Sequence, residues 1–397
     1  MATAALTGCA TTGRGAKGRR IVILGGGFGG ITAARELRQA LSAEHAITLV
    51  DRKASFMMGL RKLWIMAGLG TREEGERPIA ALHKQGIDVR KAEVAAIDTA
   101  ARVVRTDGGD LGYDYLLVAL GAESRADLIP GFSDAAYNLY EVAGAERLRD
   151  RLATFARGKV ALVIAGVPYK CPPAPYEASM LLDDMFRKRG TRADIEIHVF
   201  TVQPMLLPLM GKAACDELGR RLAGKQISFA TGKKTTALEG SRVVFSDGTF
   251  DADLLIVVPP HRPPAVVKQS GLCGAGEWIT VERETLKAHA PGVFAVGDCT
   301  ETLLDNRMAL PKAGIMAEAQ ARIAAAGILA EIAGAPAAAR FDGKGYCFFE
   351  HGDGQAAAIR GDFFAADAPK VELGDATADG FREKQEFERS RLAAWFS

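Results

Sequence analysis

The sequence predicts an α/β protein with two Rossmann-like domains, each built on a parallel sheet, followed by a C-terminal region. Three observations predict this fold class. Arg20–Leu24 is an apolar strand that leads into a glycine turn and a helix, and residues 159–165 form a second apolar strand that opens a similar unit. A third apolar strand ends at Gly297 and precedes an alanine-rich helix that reaches about residue 333. Strands that alternate with helices in this way are typical of parallel sheets.

The turn after the first strand carries a pattern that binds the pyrophosphate of a dinucleotide. Gly25, Gly27 and Gly30 fill the sequence G-x-G-x-x-G, with Phe28 and Gly29 between them. The first glycine allows the turn, the second lets the pyrophosphate approach the backbone, and the third lets the helix pack closely on the strand. The helix then presents free N–H groups and the positive end of its dipole to the phosphates. The loop does not distinguish FAD from NAD.

Five further positions are predicted to contribute to the cofactor site. Asp51 follows the second strand, where a carboxylate accepts hydrogen bonds from a ribose, and Arg52 is its neighbour. Gly121 ends the apolar strand that returns the chain to the second domain. Asp298 lies at the tip of the sheet, where it can bind ribitol hydroxyls. Lys312 precedes the alanine-rich helix, whose N-terminus would point at a flavin ring and stabilise its reduced form.

The second strand–turn–helix unit lacks the requirements of a nicotinamide site. The loop over residues 166–177 contains four prolines, a cysteine and no glycine after its first residue. Proline has no N–H that could bind a pyrophosphate, and it stiffens the loop. The next strand, residues 194–200, is followed by Thr-Val-Gln, with no acid for a ribose. The sequence therefore predicts a duplicated fold whose second dinucleotide site is lost.

Composition narrows the class of protein further. The chain has 397 residues, enough for two or three domains, and its net charge of +2 argues against nucleic-acid binding. No run approaches the roughly 20 apolar residues of a membrane span. Residues 1–18 form a leader that we expect to be disordered, and it lacks the apolar region of a secretory signal. We expect a cytoplasmic or peripheral membrane protein, or a periplasmic one where a leader has been removed.

These units predict three parts of the chain after the leader. The cofactor domain is discontinuous and comprises residues 19–124 and 277–340. Residues 125–276 form the second Rossmann-like domain, and residues 341–397 form the C-terminal region, which contains Cys347. The sequence leaves a homo-oligomer open.

The chain contains six cysteines and no C-x-x-C pair, so it predicts neither a zinc site nor a redox pair of adjacent cysteines. Four of the cysteines lie in unremarkable contexts, which are the leader, an amphipathic helix, a glycine-rich loop and a turn: Cys9, Cys215, Cys273 and Cys299. Cys171 lies in the proline-rich loop and Cys347 in the C-terminal region. These two are the candidates for chemistry.

Taken together, these residues resemble a known group of flavoproteins. The glycine loop, Asp51, the Gly297-Asp298 strand end and the helix start at residues 311–314 resemble the superfamily with two dinucleotide-binding domains. The Cys-Pro-Pro-Ala-Pro-Tyr-Glu loop at residues 171–177 and the Gly-Tyr-Cys-Phe segment at 345–348 narrow the resemblance. They are similar to sulfide:quinone oxidoreductase and to the flavoprotein subunit of flavocytochrome c sulfide dehydrogenase. The resemblance covers nearly the whole chain after the leader.

The resemblance implies FAD-dependent oxidation of sulfide to persulfide or polysulfide sulfur, with the electrons passed to quinone. In that family two cysteines form a disulfide or polysulfide bridge over the flavin, hydrosulfide attacks one sulfur, and the released thiolate delivers two electrons to FAD. Cys347 would be nearer the flavin and Cys171 would receive the sulfur. Glu177 would carry protons, or only place a charge at a helix N-terminus. Phe348 would stack on quinone or be plain core, and Lys312 would contact the flavin or the acceptor, or only brace the site.

Departures from the family pattern shape the expected chemistry. Residues 54–67 contain no cysteine that could attach the flavin, so we expect non-covalent FAD. Residues 122–131 contain no third active cysteine. Three alternative functions stay open: a flavoprotein that passes electrons to a cytochrome c on another chain, a type II NADH:quinone oxidoreductase, and a flavin-binding protein without activity. The last alternative predicts that Cys171 and Cys347 lie far apart.

Reduction of quinone requires contact with a bilayer, and the sequence offers two candidate surfaces. One is the end of the C-terminal helix, with Leu392, Trp395 and Phe396, which could lie among lipid headgroups or dock on its own domain. The other is the apolar segment at residues 205–210. Both are short, so membrane binding would be peripheral.

Overall fold

The structure is a computed structural model that describes residues 18–133 and 135–397. The predicted leader, apart from its last residue, and Cys9 lie outside the described residues.

Within these residues the chain forms nine α-helices and twenty-five strands. The helices are α1 (Phe28–Ala40), α2 (Arg61–Met66), α3 (Arg72–Gly75), α4 (Val142–Thr154), α5 (Ala174–Lys188), α6 (Gly211–Gly224), α7 (Ala265–Gln269), α8 (Gly314–Ala333) and α9 (Ala378–Phe396). The strands are β1 (Arg20–Leu24), β2 (Ala46–Asp51), β3 (Ser55–Phe56), β4 (Arg77–Pro78), β5 (Asp88–Lys91), β6 (Val94–Asp98), β7 (Val103–Thr106), β8 (Gly109–Gly112), β9 (Tyr115–Val118), β10 (Glu123–Ser124), β11 (Ala136–Asn138), β12 (Gly158–Ile164), β13 (Ile195–Thr201), β14 (Ile227–Ala230), β15 (Thr235–Glu239), β16 (Arg242–Phe245), β17 (Gly248–Asp251), β18 (Leu254–Val258), β19 (His261–Arg262), β20 (Ile279–Thr280), β21 (Val293–Ala295), β22 (Thr300–Glu301), β23 (Lys344–Gly352), β24 (Gln355–Asp362) and β25 (Lys370–Leu373).

The first parallel sheet has the strand order β21-β9-β1-β2-β5. Four of the five residues of β1 are buried, as expected of a strand covered on both faces. Helices α1 and α8 pack on this sheet through Ile31, Leu37 and Ile328. Strand β21 returns to the sheet that β1 begins, although much of the chain lies between them. The carboxyl ends of β1, β2, β9 and β21 therefore meet at one edge, where open α/β sheets bind ligands.

The second parallel sheet has the order β11-β18-β12-β13-β14. Its core includes side chains from α4, α5 and α6, such as Leu148, Leu181 and Leu218. Strands β16 and β17 form an antiparallel hairpin after this sheet's fifth strand, β14. Two Rossmann-like sheets are therefore present, and the α/β fold class predicted from the sequence is confirmed. The predicted domain boundaries stay predictions.

The C-terminal region consists of the antiparallel sheet β23-β24-β25 and helix α9. Thr377 caps α9, because its hydroxyl oxygen accepts a hydrogen bond from the Gly380 amide at 2.9 Å. Leu392 and Trp395 are buried, and the Trp395 ring lies edge-on to Phe28 with 5.2 Å between centroids. The end of α9 is therefore docked on its own protein, which is one of the two alternatives that the sequence left open.

None of the helices among residues 18–133 and 135–397 is long and apolar enough to cross a membrane.

The docked helix end gives a first prediction. Trp395→Ala should lower the free energy of unfolding by about 3–5 kcal/mol, because truncation of a buried aromatic ring leaves a cavity. The matched control is Leu303→Ala, since Leu303 is 55% exposed, and its effect should stay within about 0.5 kcal/mol. Urea unfolding followed by circular dichroism measures both. Equal stabilities of the two variants would contradict the packing of α9 described above.

Candidate active site

The loop between β1 and α1 leaves open space in front of its backbone. A Cβ on Gly30 would lie 1.8 Å from the Gly25 carbonyl oxygen, so only glycine fits there. Gly25 has a φ of +102°, which residues with side chains rarely adopt. A Cβ on Gly27, in contrast, would meet no described heavy atom within 4 Å. Within the described part of the chain no side chain caps α1, so its N-terminus fits an anionic group.

The packing and backbone conformation of three other predicted positions are visible around this loop. The Phe28 ring packs on Phe56 and Trp395. A Cβ on Gly29 would lie 2.8 Å from the Val296 side chain, so Gly29 allows the helix to approach the sheet. Gly121 has a φ of +68° after β9, and glycine adopts this conformation without strain.

Asp51 lies at the end of β2, beside the glycine loop. Its Oδ2 accepts a hydrogen bond from the Gly26 amide at 2.5 Å, and its Oδ1 accepts one from the Lys53 amide at 2.7 Å. A carboxylate accepts several hydrogen bonds, so this one can also accept from a ribose hydroxyl. Arg52 forms an ion pair with Glu123 at 2.7 Å, and it borders the site.

Asp298 supplies the clearest sign of a ligand-binding site. Its Oδ1 and the Thr302 hydroxyl oxygen are buried and have no hydrogen-bond partner among residues 18–133 and 135–397. An unpartnered buried polar group costs about 1–3 kcal/mol, so such atoms are normally satisfied by a ligand or by water. Burial also raises the pKa of the Asp298 carboxyl. The loop, Asp51 and Asp298 together fit the pyrophosphate, ribose and ribitol groups of FAD.

Lys312 braces the edge of this site. It is 7% exposed, and its Nζ donates hydrogen bonds to the carbonyl oxygens of Asp298 and Thr300 at 2.9 and 3.0 Å. Nζ also lies 3.4 Å from the centre of the Trp278 ring, a cation–π contact. Burial lowers the pKa of Lys312 to about 8. The Lys312 carbonyl oxygen accepts a hydrogen bond from the Cys171 amide at 2.7 Å, which joins the cofactor edge to the cysteine loop.

The structure brings Cys171 and Cys347 into contact. Cys171 lies in the loop between β12 and α5 with a φ of +47°, and the Tyr140 hydroxyl donates a hydrogen bond to its carbonyl oxygen at 3.2 Å. Cys347 lies on β23. Both are free thiols that lie close enough to shift each other's pKa. The interaction with Cys347 and burial raise the pKa of Cys171, whereas the interaction with Cys171 lowers the pKa of Cys347.

A cavity of about 200 Å³, which we call the thiol cavity, is lined by both cysteines. Most of its other lining residues are apolar, among them Leu207, Ile315 and Phe363. Phe348 is not among the lining residues described. Its ring packs edge-on against Tyr346 and Phe387, with centroid distances of 5.9 and 5.7 Å. The cavity therefore has room for a small substrate beside the two cysteines.

Glu177 lies in the first turn of α5 and is buried. Its Oε1 accepts hydrogen bonds from the Lys384 ammonium at 2.6 Å and from the Glu350 amide at 2.8 Å. Burial raises the pKa of Glu177, although the ammonium opposes this shift. The sequence predicted that Glu177 carries protons or places a charge at a helix N-terminus. It did not predict the contacts with Lys384 and Glu350.

Sequence reasoning missed other polar groups near the cysteine loop. Burial lowers the pKa of Lys62 to about 8 and that of His261 to about 3. Lys170 donates a hydrogen bond from Nζ to the Ala122 carbonyl oxygen at 2.9 Å. Lys62 and His261 lie in no sequence motif. Lys170 could have been noticed, because it directly precedes Cys171.

Comparison with known proteins defines the class. Residues 19–324 match the family described as pyridine nucleotide-disulphide oxidoreductase. The chain belongs to this family of oxidoreductases.

Individual members of this family that are similar to the chain include oxidoreductases named for sulfide, NADH and quinone. The chain is 26% identical to the mitochondrial sulfide:quinone oxidoreductase of Mus musculus over 70% of its own length and 65% of the mouse protein. It is 23% identical to a type II NADH:quinone oxidoreductase of Staphylococcus saprophyticus, over 71% and 74% of the two chains. The solved sulfide:quinone oxidoreductase of Aquifex aeolicus superposes with a TM-score of 0.83 and 23% identity, covering 95% of this chain and 91% of that one. These matches confirm the resemblance inferred from the sequence.

The glycine loop gives a second prediction. Gly27→Ala should leave the melting temperature of the cofactor-free protein unchanged, because the new Cβ meets open space, yet it should reduce bound FAD, because that space is where a pyrophosphate approaches. Gly30→Ala is the contrasting variant: it should destabilise the cofactor-free protein itself. The flavin-to-protein absorbance ratio and a thermal melt measure the two effects. Full flavin content in Gly27→Ala would contradict the assignment of this loop.

Proposed function

We propose that this oxidoreductase uses FAD to oxidise sulfide to persulfide or polysulfide sulfur through Cys171 and Cys347, and passes the electrons to quinone. The observation that carries the proposal is the position of both cysteines side by side on the thiol cavity. The named relatives that act on sulfide and quinone support the same activity.

We propose one direction of attack on the cysteine pair. In the oxidised protein the two sulfurs would form a disulfide, and hydrosulfide would attack Cys171. The disulfide bond then breaks, a new bond makes Cys171 a persulfide, and Cys347 leaves as a thiolate. The Lys384 ammonium lowers the pKa of the Cys347 thiol, which favours its departure as a thiolate. Glu177, whose pKa burial raises, takes up the persulfide proton.

In the next proposed step, two electrons leave the cysteine pair as Cys171 and Cys347 become linked through the added sulfur atom. The Cys171 persulfide anion and the Cys347 thiolate combine into a three-sulfur bridge and release two electrons. Bound FAD supplies the two-electron acceptor for this step. We propose that the FAD is non-covalent, because residues 54–67 contain no cysteine. The thiol cavity has room for the growing sulfur chain.

The geometry of the second sheet disfavours NADH as the donor. In the loop after β12 the Cys171 amide is bonded to the Lys312 carbonyl oxygen, and the His261 amide donates to the Pro168 carbonyl oxygen. A Cβ on Gly166 would lie 2.8 Å from Pro260, so no open space comparable to that at Gly27 faces this glycine. These observations weigh against the type II NADH:quinone oxidoreductase alternative. The contact between the cysteines weighs against the non-catalytic alternative.

Quinone is the proposed acceptor because several relatives are named for it. We propose the aromatic cluster of Phe348, Phe387 and Phe28 as its contact, since these rings pack together near the start of α1. Electron transfer to a cytochrome c on another chain is the alternative. A quinone acceptor also implies peripheral contact with a membrane.

The proposal is tested by anaerobic reduction of the FAD-bound protein. Sulfide should bleach the flavin absorption band within the mixing time of a stopped-flow experiment, and NADH should not. Cys171→Ser and Cys347→Ser should retain FAD and reduce sulfide-dependent bleaching to background, because each removes one half of the disulfide. The matched control is Cys273→Ser, whose thiol lies away from the cavity and donates to the Glu277 carbonyl oxygen; it should react like the native protein.

Two outcomes would contradict the proposal. Full sulfide turnover in Cys347→Ser would exclude the two-cysteine reaction, and fast bleaching by NADH alone would make the chain a nicotinamide-dependent enzyme. Reoxidation of the sulfide-reduced protein by a water-soluble quinone or by ferric cytochrome c then separates the two acceptors.

A further inference from the structure

Three charged side chains are buried together beside the cysteines, and we call them the carboxylate–lysine cluster: Glu177, Glu350 and Lys384. They are 2%, 1% and 2% exposed. The Lys384 ammonium lies 2.6 Å from Glu177 Oε1 and 2.8 Å from Glu350 Oε2. The Trp64 indole N–H donates a hydrogen bond to the same Glu350 oxygen at 2.9 Å. Burial of charge is costly, so a cluster of this kind calls for a role beyond stability.

The cluster connects the two chain segments that carry the cysteines. Glu177 follows Cys171 in the same loop and helix, and Glu350 follows Cys347 on β23. The Glu350 amide donates a hydrogen bond to Glu177 Oε1 at 2.8 Å, which ties α5 directly to β23. Lys384 on α9 binds both carboxylates. The cluster therefore fixes the position of one sulfur relative to the other.

The cluster also sets the charge near the sulfur atoms. The largest influences on the pKa of each thiol are the partner thiol and burial. Beyond these, the negative charge of Glu177 raises the pKa of both thiols, and the positive charge of Lys384 lowers it. The other ionisable groups that face Cys171 are Lys62 from α2 and the phenol groups of Tyr140 and Tyr169. With two carboxylates and one ammonium, loss of Lys384 would leave uncompensated negative charge beside the cysteines.

We propose that Lys384 and Glu350 are positioning residues that hold Glu177 and the two cysteine segments in register, and that the Lys384 ammonium favours the thiolate form of Cys347. The role of Lys384 and Glu350 in turnover rests on the proposed sulfide oxidation. Their effect on the Cys347 thiolate is independent of that proposal, because the thiolate can be measured without sulfide.

The test is the pH dependence of alkylation in the reduced, FAD-bound full chain. Iodoacetamide reacts with the thiolate, and mass spectrometry reports modification of Cys347 between pH 5 and 10. Lys384→Met should slow this reaction about tenfold at neutral pH, which corresponds to a rise of about one unit in the thiol pKa. Glu350→Gln should shift the profile the opposite way, because it removes a negative charge and leaves Lys384 paired with Glu177.

The matched control is Glu388→Gln. Glu388 lies on the same face of α9, is 3% exposed, and pairs with Arg61 on α2 at 3.0 Å instead of with Glu177. Its loss should lower the melting temperature without moving the alkylation profile. The inference is overturned by an unchanged profile in folded Lys384→Met, or by an equal shift in Glu388→Gln.

A second variant keeps the test decisive. If Lys384→Met does not fold, the alkylation profile of Glu350→Gln tests the inference instead. This variant should fold, because a neutral glutamine leaves Lys384 paired with Glu177. An unshifted Glu350→Gln profile also overturns the inference. Flavin bleaching by sulfide in the native protein is scored separately. Absence of bleaching with the alkylation shifts intact would reject the proposed function and keep the positioning role.

Discussion

The contact between the segment before α5 and strand β23 is the constraint on which the site depends. Cys171 and Cys347 come from different layers of the fold, and neither has a partner unless these layers meet. The Cys171 amide is bonded to the Lys312 carbonyl oxygen, and the Glu350 amide is bonded to Glu177. These two hydrogen bonds place both sulfurs beside the edge of the first sheet. The proposed dinucleotide site and the two cysteines are thereby neighbours.

The parts of the site that the sequence predicted are those encoded locally. Gly25 and Gly30 could be assigned because each close approach involves the turn itself or an adjacent strand. Asp51 and Asp298 could be assigned because a residue that follows a buried strand of a parallel sheet lies at its carboxyl edge. The fold class followed for the same reason, since strand–turn–helix units are visible in short windows of sequence.

Helix α9 shows why the rest could not be predicted. Its buried face carries Lys384 and Glu388 besides Leu392 and Trp395, so its sequence does not read as an apolar stripe. Lys384 is buried only because two carboxylates from distant segments neutralise it. A single sequence does not show that Lys384 meets these two carboxylates in the fold. The same pattern of charges with a Trp-Phe end also fits a helix at a membrane surface, which is why both alternatives stayed open.

The N-termini of α1 and α5 differ in the charge that each one favours. The first turn of α1 begins Phe28-Gly29-Gly30 and contains no acid, so its N–H groups and dipole favour a phosphate. The first turn of α5 contains Pro175, which has no N–H, and Glu177, whose charge would repel a phosphate. The same dipole that favours a pyrophosphate at α1 favours the carboxylate at α5. The second unit thus holds its own anion beside Cys171, where the first unit is built to receive one.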